Sequence, residues 1–260
     1  MTPYKVFIVG HEGTTGLRIH ERLSDRKDIE LLATADEDRK NVEAIKEVAK
    51  EADIVFLCLP DVASKEIMAA IGDFPCKVID TSTAFRTTAG WAYGFPELGE
   101  SYKTDIATKK HIANPGCHAS GMIACIEPLV KAGLVPADYP FTITSLTGYS
   151  GGGKKMIGQY ESSPKDYFLY APRQYGLGQE HKHLPEVQHV CGLSEAPIFM
   201  PIVDDYYSGM EVTVGIHSRL CHKPVCIDKV QQTLEYFYKD STIVTVAPFT
   251  ENSNSGMLNA

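Results

Sequence analysis

The pattern of apolar and polar positions changes character midway along the chain. In the first half, short apolar runs alternate with stretches of helical spacing. YKVFIV (4–9) is an apolar run ending at a glycine, the form of a strand buried on both faces. A helical stretch follows to about Arg26. ELLATA (30–35) predicts a second strand, and Val42, Ile45, Val48 and Ala49 then recur at helical spacing. DIVFLCLP (53–60) predicts a third buried strand, stopped by Pro60. Residues 63–71 predict a helix, and KVIDTS (77–82) a fourth strand, taken as the last of its domain. This alternation implies a parallel sheet covered by helices on both faces. The second half reads differently. TITSLTG (142–148), IFMPIV (198–203) and MEVTVGIHS (210–218) predict longer strands, several with alternating faces, and helices are expected at 118–132, 181–191 and 226–239. Fewer helices among longer strands suggest an α+β layer. The change falls near Gly116 and divides the chain into domains at 1–116 and 117–260.

Composition narrows the function classes. With 43% hydrophobic residues the chain can bury a substantial core, and a formal net charge of −8 disfavours nucleic acid as a main partner. The N-terminus, MTPYKVFIVG, is too short and too soon interrupted for a signal peptide, and no run approaches the ~20 apolar residues of a membrane span. The seven cysteines are odd in number and include no CxxC pair, which reads as reduced thiols in a cytoplasmic protein. Cys221, His222 and Cys226 match no common zinc spacing, so no metal is expected.

Two glycine-rich loops carry candidate chemistry. GHEGTTG (10–16) follows the first strand and opens a helix, a GxxGxxG variant of the dinucleotide fingerprint of Rossmann-type α/β domains. There Gly10 permits the tight turn, Gly13 lets a pyrophosphate approach the helix N-terminus, Gly16 completes the pattern, and Thr14 and Thr15 add hydroxyl donors. After the second strand, Asp36, Glu37 and Asp38 suit a free ribose 2′-hydroxyl, whereas Arg39 and Lys40 suit a 2′-phosphate, so both NAD and NADP remain open on these residues. The second loop, GYSGGGKK (148–155), nearly fits a P-loop, but Lys155 stands where magnesium needs a hydroxyl, which argues against triphosphate hydrolysis. Its backbone amides and two lysines suit a phosphate or a nicotinamide edge.

HIANPGCHASG (111–121) puts Cys117 behind an Asn-Pro-Gly turn, at the start of a helix marked by Met122, Ile123, Ile126, Leu129 and Val130. Helix N-termini favour the thiolate. A structural thiol would more naturally lie within a strand, as Cys58 does in DIVFLCLP, and Asn114 with the backbone beside Cys117 can donate to an oxyanion. A cysteine nucleophile needs a base. GQEHKHLPEV (178–187) supplies His181 and His183 just before a helix start at Pro185, with Glu186 close enough in sequence to orient one of them. Arg86, in DTSTAFR (80–86), lies where ligand crevices form in open α/β sheets.

In this order along the chain, GHEGTTG, DTSTAFR, YGFPEL (93–98), ANPGC, SLTGYSGGGK and EHKHLPEV resemble the short form of the N-acetyl-γ-glutamyl-phosphate reductase family, within the aspartate-semialdehyde dehydrogenase-like group. The resemblance implies an arginine-pathway enzyme (EC 1.2.1.38) with NADPH as donor, an acyl phosphate as substrate and an aldehyde as product. It implies Cys117 as the nucleophile and brings His181 and His183 to the active site, without deciding which is the acid/base. It makes Gly10, Gly13, Thr14, Thr15 and Gly16 the pyrophosphate site, with Arg39 nearby, and Ser150, Gly151 and Gly152 a wall of the cofactor site. Arg86 and Glu186 follow as substrate-binding or orienting residues, and Asn114, read from its place beside Cys117, is expected on the substrate side as well. A homodimer or homotetramer is implied. In the family the chain returns to the nucleotide domain after the catalytic one. Here SGMLNA (255–260) comes first, so that return is expected to be missing.

The expected reaction is thioester formation at Cys117 with release of phosphate, hydride reduction, and proton transfer by a histidine. The alternatives are a reductase of an aspartyl or aminoadipyl phosphate, a non-catalytic NAD(P)-binding protein, and a cysteine hydrolase that would leave the first glycine loop unexplained.

Overall fold

The structure is a computed structural model and describes residues 2–250. The expectation for SGMLNA falls outside the described residues. The described chain forms two compact units that divide at Pro115 and Gly116.

The first unit is a parallel sheet with helical connections. In chain order it runs β1 (Tyr4–Val9), α1 (Thr14–Ser24), β2 (Ile29–Leu32), α2 (Val42–Glu51), β3 (Ile54–Leu57), α3 (Asp61–Ile71), β4 (Lys77–Asp80), β5 (Ala92–Tyr93), α4 (Glu100–Thr108) and β6 (His111–Ala113). The strand order is β2-β1-β3-β4-β6-β5, and every pairing is parallel. The run Val6–Val9 is buried throughout, as a strand covered on both faces must be. Phe7, Val9, Val55, Leu57 and Val78 from the strands pack with Ile45, Ala49, Ile67 and Ile71 from α2 and α3. Local chemistry sets the helix ends: the Asn41 side chain accepts from the amides of Glu43 and Ala44 and so caps α2.

Three expectations need correction here. The second strand stops at Leu32, short of the predicted Ala35. The strand preceding Arg86 is not the last of its unit, because β5 and β6 follow it and β4 lies inside the sheet. Cys58 sits just past the end of β3 rather than within it, half-buried, and burial pushes its thiol up to about 11.

The second unit is a mixed sheet with helices: α5 (Cys117–Lys131), β7 (Thr142–Gly148), α6 (Gly153–Tyr160), β8 (Arg173–Gln174), α7 (Leu184–Val190), β9 (Ile198–Asp204), β10 (Met210–Gly215) and α8 (Ile227–Tyr238). The strand order is β10-β7-β9-β8. The β7–β9 pair is parallel and the two outer pairs are antiparallel. Strict alternation in β7 buries Ile143, Ser145 and Thr147 on one face. Helix α5 buries Ala119, Met122, Ile123, Ile126 and Leu129, at helical spacing. Pro128 lies inside α5 and has no N–H to give the carbonyl of Ala124. The Tyr238 hydroxyl of α8 donates to that carbonyl at 2.8 Å, which satisfies the acceptor and docks α8 on α5.

Candidate active site

In the first unit the glycine loop is shaped by close backbone approach. Gly10 has φ +84, and a Cβ there would lie 2.5 Å from the carbonyl oxygen of Cys58. The amide of Gly13 donates back to the Gly10 carbonyl at 3.0 Å. A Cβ on Gly16 would lie 2.3 Å from that same oxygen and 2.7 Å from His11 Cα, so the first turn of α1 rests directly on the loop. Gly13 is the N-cap of α1, with no side-chain cap and no acidic residue in the first turn. Thr14 and Thr15 thus open a helix whose positive end meets no protein anion of its own first turn, which fits a pyrophosphate. Arg39 follows β2 and pairs with Glu12 of the loop, Nη1 to Oε1 at 2.5 Å, with both side chains partly exposed. This places an ion-paired cation beside the glycine loop.

Arg86 and Asn114 are largely engaged with backbone. Arg86 donates from Nε to the Asn114 carbonyl at 2.9 Å and from Nη2 to the Thr81 carbonyl at 3.1 Å. Asn114 donates its side-chain amide to the Pro115 carbonyl at 3.1 Å, and its backbone amide to Asp80 at 2.8 Å. Arg86 thereby ties the segment after β4 to the one after β6.

In the second unit Cys117 is exposed and is the first residue of α5, with Gly116 as N-cap. The backbone N–H of Gly116 donates to Glu186 Oε1 at 2.8 Å. Through that oxygen the carboxylate holds the helix start that carries Cys117. His183 is the N-cap of α7 and Pro185 lies in its first turn, so the two helix starts are linked through Glu186. His181 Nδ1 accepts from the His183 amide at 3.2 Å, which leaves Nε2 to carry the proton of the neutral ring. The His181 and His183 rings lie 4.7 Å apart. Burial, with a smaller effect of Lys182, lowers the pKa of His181.

Three residues that sequence reading passed over belong to this cluster. His118, next to the candidate nucleophile, is buried, with its ring 5.5 Å from His181 and 5.7 Å from His183. Its Nδ1 is 2.9 Å from Ser145 Oγ and its Nε2 is 2.8 Å from the Tyr175 hydroxyl. Burial first, and then His181, push the His118 ring down to about 4, so it is neutral at physiological pH. A signal existed in the alternation of β7, which puts a serine on the buried face between Ile143 and Thr147.

The second glycine loop is less open than expected. Residues Tyr149–Gly152 form a 3-10 turn leading into α6. The amides of Gly148, Tyr149 and Ser150 already donate to the carbonyls of Gly209, Tyr206 and Tyr207. Of the expected wall, Ser150 is therefore engaged through its amide, and a Cβ on Gly152 would meet Met156 Sδ at 2.4 Å.

The Glu186 contact is testable. Glu186→Ala leaves the buried Gly116 amide without that acceptor and should destabilise the protein by roughly 1–3 kcal/mol in urea unfolding. Glu186→Gln keeps an acceptor oxygen and should recover most of the loss. Equal losses in the two variants would remove the hydrogen bond as the cause.

Comparison with known proteins decides the family. Residues 5–105 match the family model "Semialdehyde dehydrogenase, NAD binding domain", and residues 117–257 match "Semialdehyde dehydrogenase, dimerisation domain". The chain is 44% identical over 243 residues to N-acetyl-gamma-glutamyl-phosphate reductase 2 of Pseudomonas putida, covering 94% of this chain and 77% of that protein. It is 41% identical over 258 residues to the reductase of Rhizobium etli, covering 98% and 83%. The chain belongs to the N-acetyl-γ-glutamyl-phosphate reductase family. Among solved structures, aspartate semialdehyde dehydrogenase II from Vibrio cholerae superposes with a TM-score of 0.67 at 19% identity, over 90% of this chain and 79% of that one. Aspartate semialdehyde dehydrogenase with NADP from Candida albicans gives 0.61 at 17% identity, over 89% and 76%. These likenesses establish the fold, a parallel-sheet NAD(P)-binding domain followed by a mixed-sheet dimerisation domain. Among the described residues no helix is long and apolar enough to cross a membrane.

Proposed function

We propose that this chain reduces N-acetyl-γ-glutamyl phosphate to N-acetylglutamate 5-semialdehyde with release of phosphate, a step of arginine biosynthesis, using NADPH. The observation that carries this reading is an exposed cysteine at the first position of α5, beside a histidine cluster, in a chain of this reductase family. In the proposed division of labour, residues 1–116 hold the cofactor and residues 117–260 carry the chemistry.

The Cys117 thiolate attacks the γ-carbonyl carbon. The carbon–sulfur bond forms as the carbon–oxygen bond to phosphate breaks, leaving a thioester on the protein. Bound NADPH supplies the hydride that reduces it. His181 or His183 gives a proton to the oxygen of the resulting thiohemiacetal. The same imidazole takes the proton back as the carbon–sulfur bond breaks, which releases the aldehyde and restores the thiolate. The neutral Nε2–H of His181 suits a hydrogen bond to that oxygen, and outright transfer of the proton takes the imidazolium form. On the cofactor side, Gly10, Gly13 and Gly16 let the backbone approach a pyrophosphate, Thr14 and Thr15 donate to it, and Arg39 selects the 2′-phosphate. Ser150, Gly151 and Gly152 remain a weaker proposal for the cofactor, and Arg86 and Asn114 for the substrate. The dimerisation-domain match supports a homo-oligomer. Seven cysteines with no disulfide among the described residues suit a reducing cytoplasm.

The deciding measurement is the reverse reaction. N-acetylglutamate semialdehyde should reduce NADP only when inorganic phosphate is present, followed by absorbance at 340 nm. A higher kcat/KM on the aspartyl or aminoadipyl analogue would replace the substrate assignment. Hydrolysis of the acyl phosphate without cofactor consumption would replace the reaction class.

A further inference from the structure

The edge of the second sheet is completed by a side chain. Strand β8 pairs antiparallel with β9, with Arg173 opposite Val203 and Gln174 opposite Ile202, and the Tyr175 amide donates to the Pro201 carbonyl at 3.1 Å. One rung further, the same register would set Leu177 against Phe199. The backbone leaves the edge before that rung. Gly176 has φ +62, and in the turn that follows the Gln179 amide donates to the Gly176 carbonyl at 3.1 Å. Phe199 is 1% exposed, so its N–H and C=O need partners. Its neighbour Ile198 donates to Phe141, on the β7 side, so Phe199 presents both groups on the β8 side. The Gln179 carboxamide meets both: Nε2 donates to the Phe199 carbonyl at 2.8 Å, and the Phe199 amide donates to Oε1 at 2.8 Å. The side chain thus does what the backbone of a longer β8 would have done. Gln179 has φ +57 and is the one residue other than glycine with a positive φ among the described residues. Glycine or asparagine would hold that backbone at less cost, so glutamine stands there against local preference.

We propose that Gln179 is the positioning residue of the histidine loop: its carboxamide locks that loop to β9 at Phe199 and so sets where the His181 ring stands. His181 follows Gln179 by two residues, and its ring lies 5.2 Å from that of Phe199, edge to face. The loop is therefore held to Phe199 twice, by the carboxamide to its backbone and by the imidazole to its ring. The turn also folds back on the imidazole, since a Cβ on Gly176 would lie 3.9 Å from His181 Cδ2. From His181 the tether passes to the start of α7, because Nδ1 accepts from the His183 amide. Gln179 acts through His181 and is not itself a catalytic residue.

This inference rests on the reading of His181 as an active-site residue, but it has readouts that need no turnover. Gln179→Gly relieves the backbone and removes the carboxamide. Gln179→Asn also suits the left-handed backbone and keeps a carboxamide, one methylene too short to reach Phe199. Hydrogen exchange at the Phe199 amide of the full chain should speed up about tenfold or more in both. The His181 imidazole, followed by NMR against pH, titrates below the ordinary histidine range because the ring is buried and, to a lesser extent, because Lys182 is near. Released from Phe199 the ring gains water, and its midpoint should rise by about half a pH unit in both variants. The other ionisable groups about the ring, His118, Tyr175, Lys182 and His183, are the same in every variant. In the phosphate-dependent assay kcat should fall about tenfold with the KM for NADP unchanged. An unmoved His181 midpoint in both variants overturns the proposal, and so does unchanged exchange at Phe199. A change in Gln179→Gly alone would trace the effect to added chain freedom and overturn it as well. Gln179→Asn decides the case if Gln179→Gly fails to fold. A raised midpoint with kcat unchanged would remove His181 as the proton carrier and leave the role of Gln179 standing.

Discussion

Cys117→Ser should abolish phosphate-dependent NADP reduction and leave NADP binding unchanged. The serine hydroxyl occupies the same position at the start of α5 but ionises far less readily than a thiol, and an oxygen ester is a poorer hydride acceptor than a thioester. Loss of a covalent nucleophile is worth on the order of 10³-fold or more in kcat. The binding half of the expectation follows from the sequence of elements: the glycine loop and Arg39 belong to the first unit, and Cys117 to the second. Fluorescence titration with NADPH and a rate assay on the same preparation measure both. Activity within tenfold of wild type would eliminate the thioester, and the reaction scheme with it.

Gly16→Ala should do the reverse, damaging cofactor binding at its base. The added methyl would sit 2.3 Å from the Gly10 carbonyl oxygen and 2.7 Å from His11 Cα. Both are backbone atoms, so no side-chain rotation relieves the overlap, and the loop or the first turn of α1 must move. A shift of that kind costs about 3 kcal/mol of stability. It should also weaken NADPH by about a hundredfold, since the first-turn amides lose their alignment. Gly158→Ala in α6 is the control. A Cβ there meets nothing within 4 Å, and alanine is the better helix former, so that variant should be neutral or slightly more stable. Wild-type affinity in Gly16→Ala would remove the loop from the cofactor site.

The parts of this protein that could be read from sequence are those whose cause is local. β7 runs over the residues predicted, and α5 begins at Cys117, because alternation and a turn before a helix are short-range signals. Helix α4 was not anticipated, and none of its residues is buried, so it writes no apolar stripe into the sequence. Helix α6 was hidden because it opens inside a glycine run that reads as a loop. The candidate nucleophile and the histidine pair were legible as types in characteristic settings. Their supporting contacts were not. Nothing in EHKHLPEV says that Glu186 would reach the Gly116 amide, and nothing in GCHASG says that His118 would turn inward to Ser145 and Tyr175. Nor does DTSTAFR say that Arg86 would reach the carbonyls of Asn114 and Thr81.

The hydrogen bonds that surround Cys117 span 27, 57 and 70 residues of chain, whereas those within α5 close over four. Local contacts form early and distant ones late, because each long loop must be closed before its bond stabilises anything. A folding chain therefore carries its thiol at the tip of a helix before the bonds of its neighbours Gly116 and His118 to Glu186, Ser145 and Tyr175 have formed. During that interval the cysteine meets solvent oxidants with no aldehyde chemistry to perform. Refolding yield should then depend on a reductant in a way that the finished protein's stability does not.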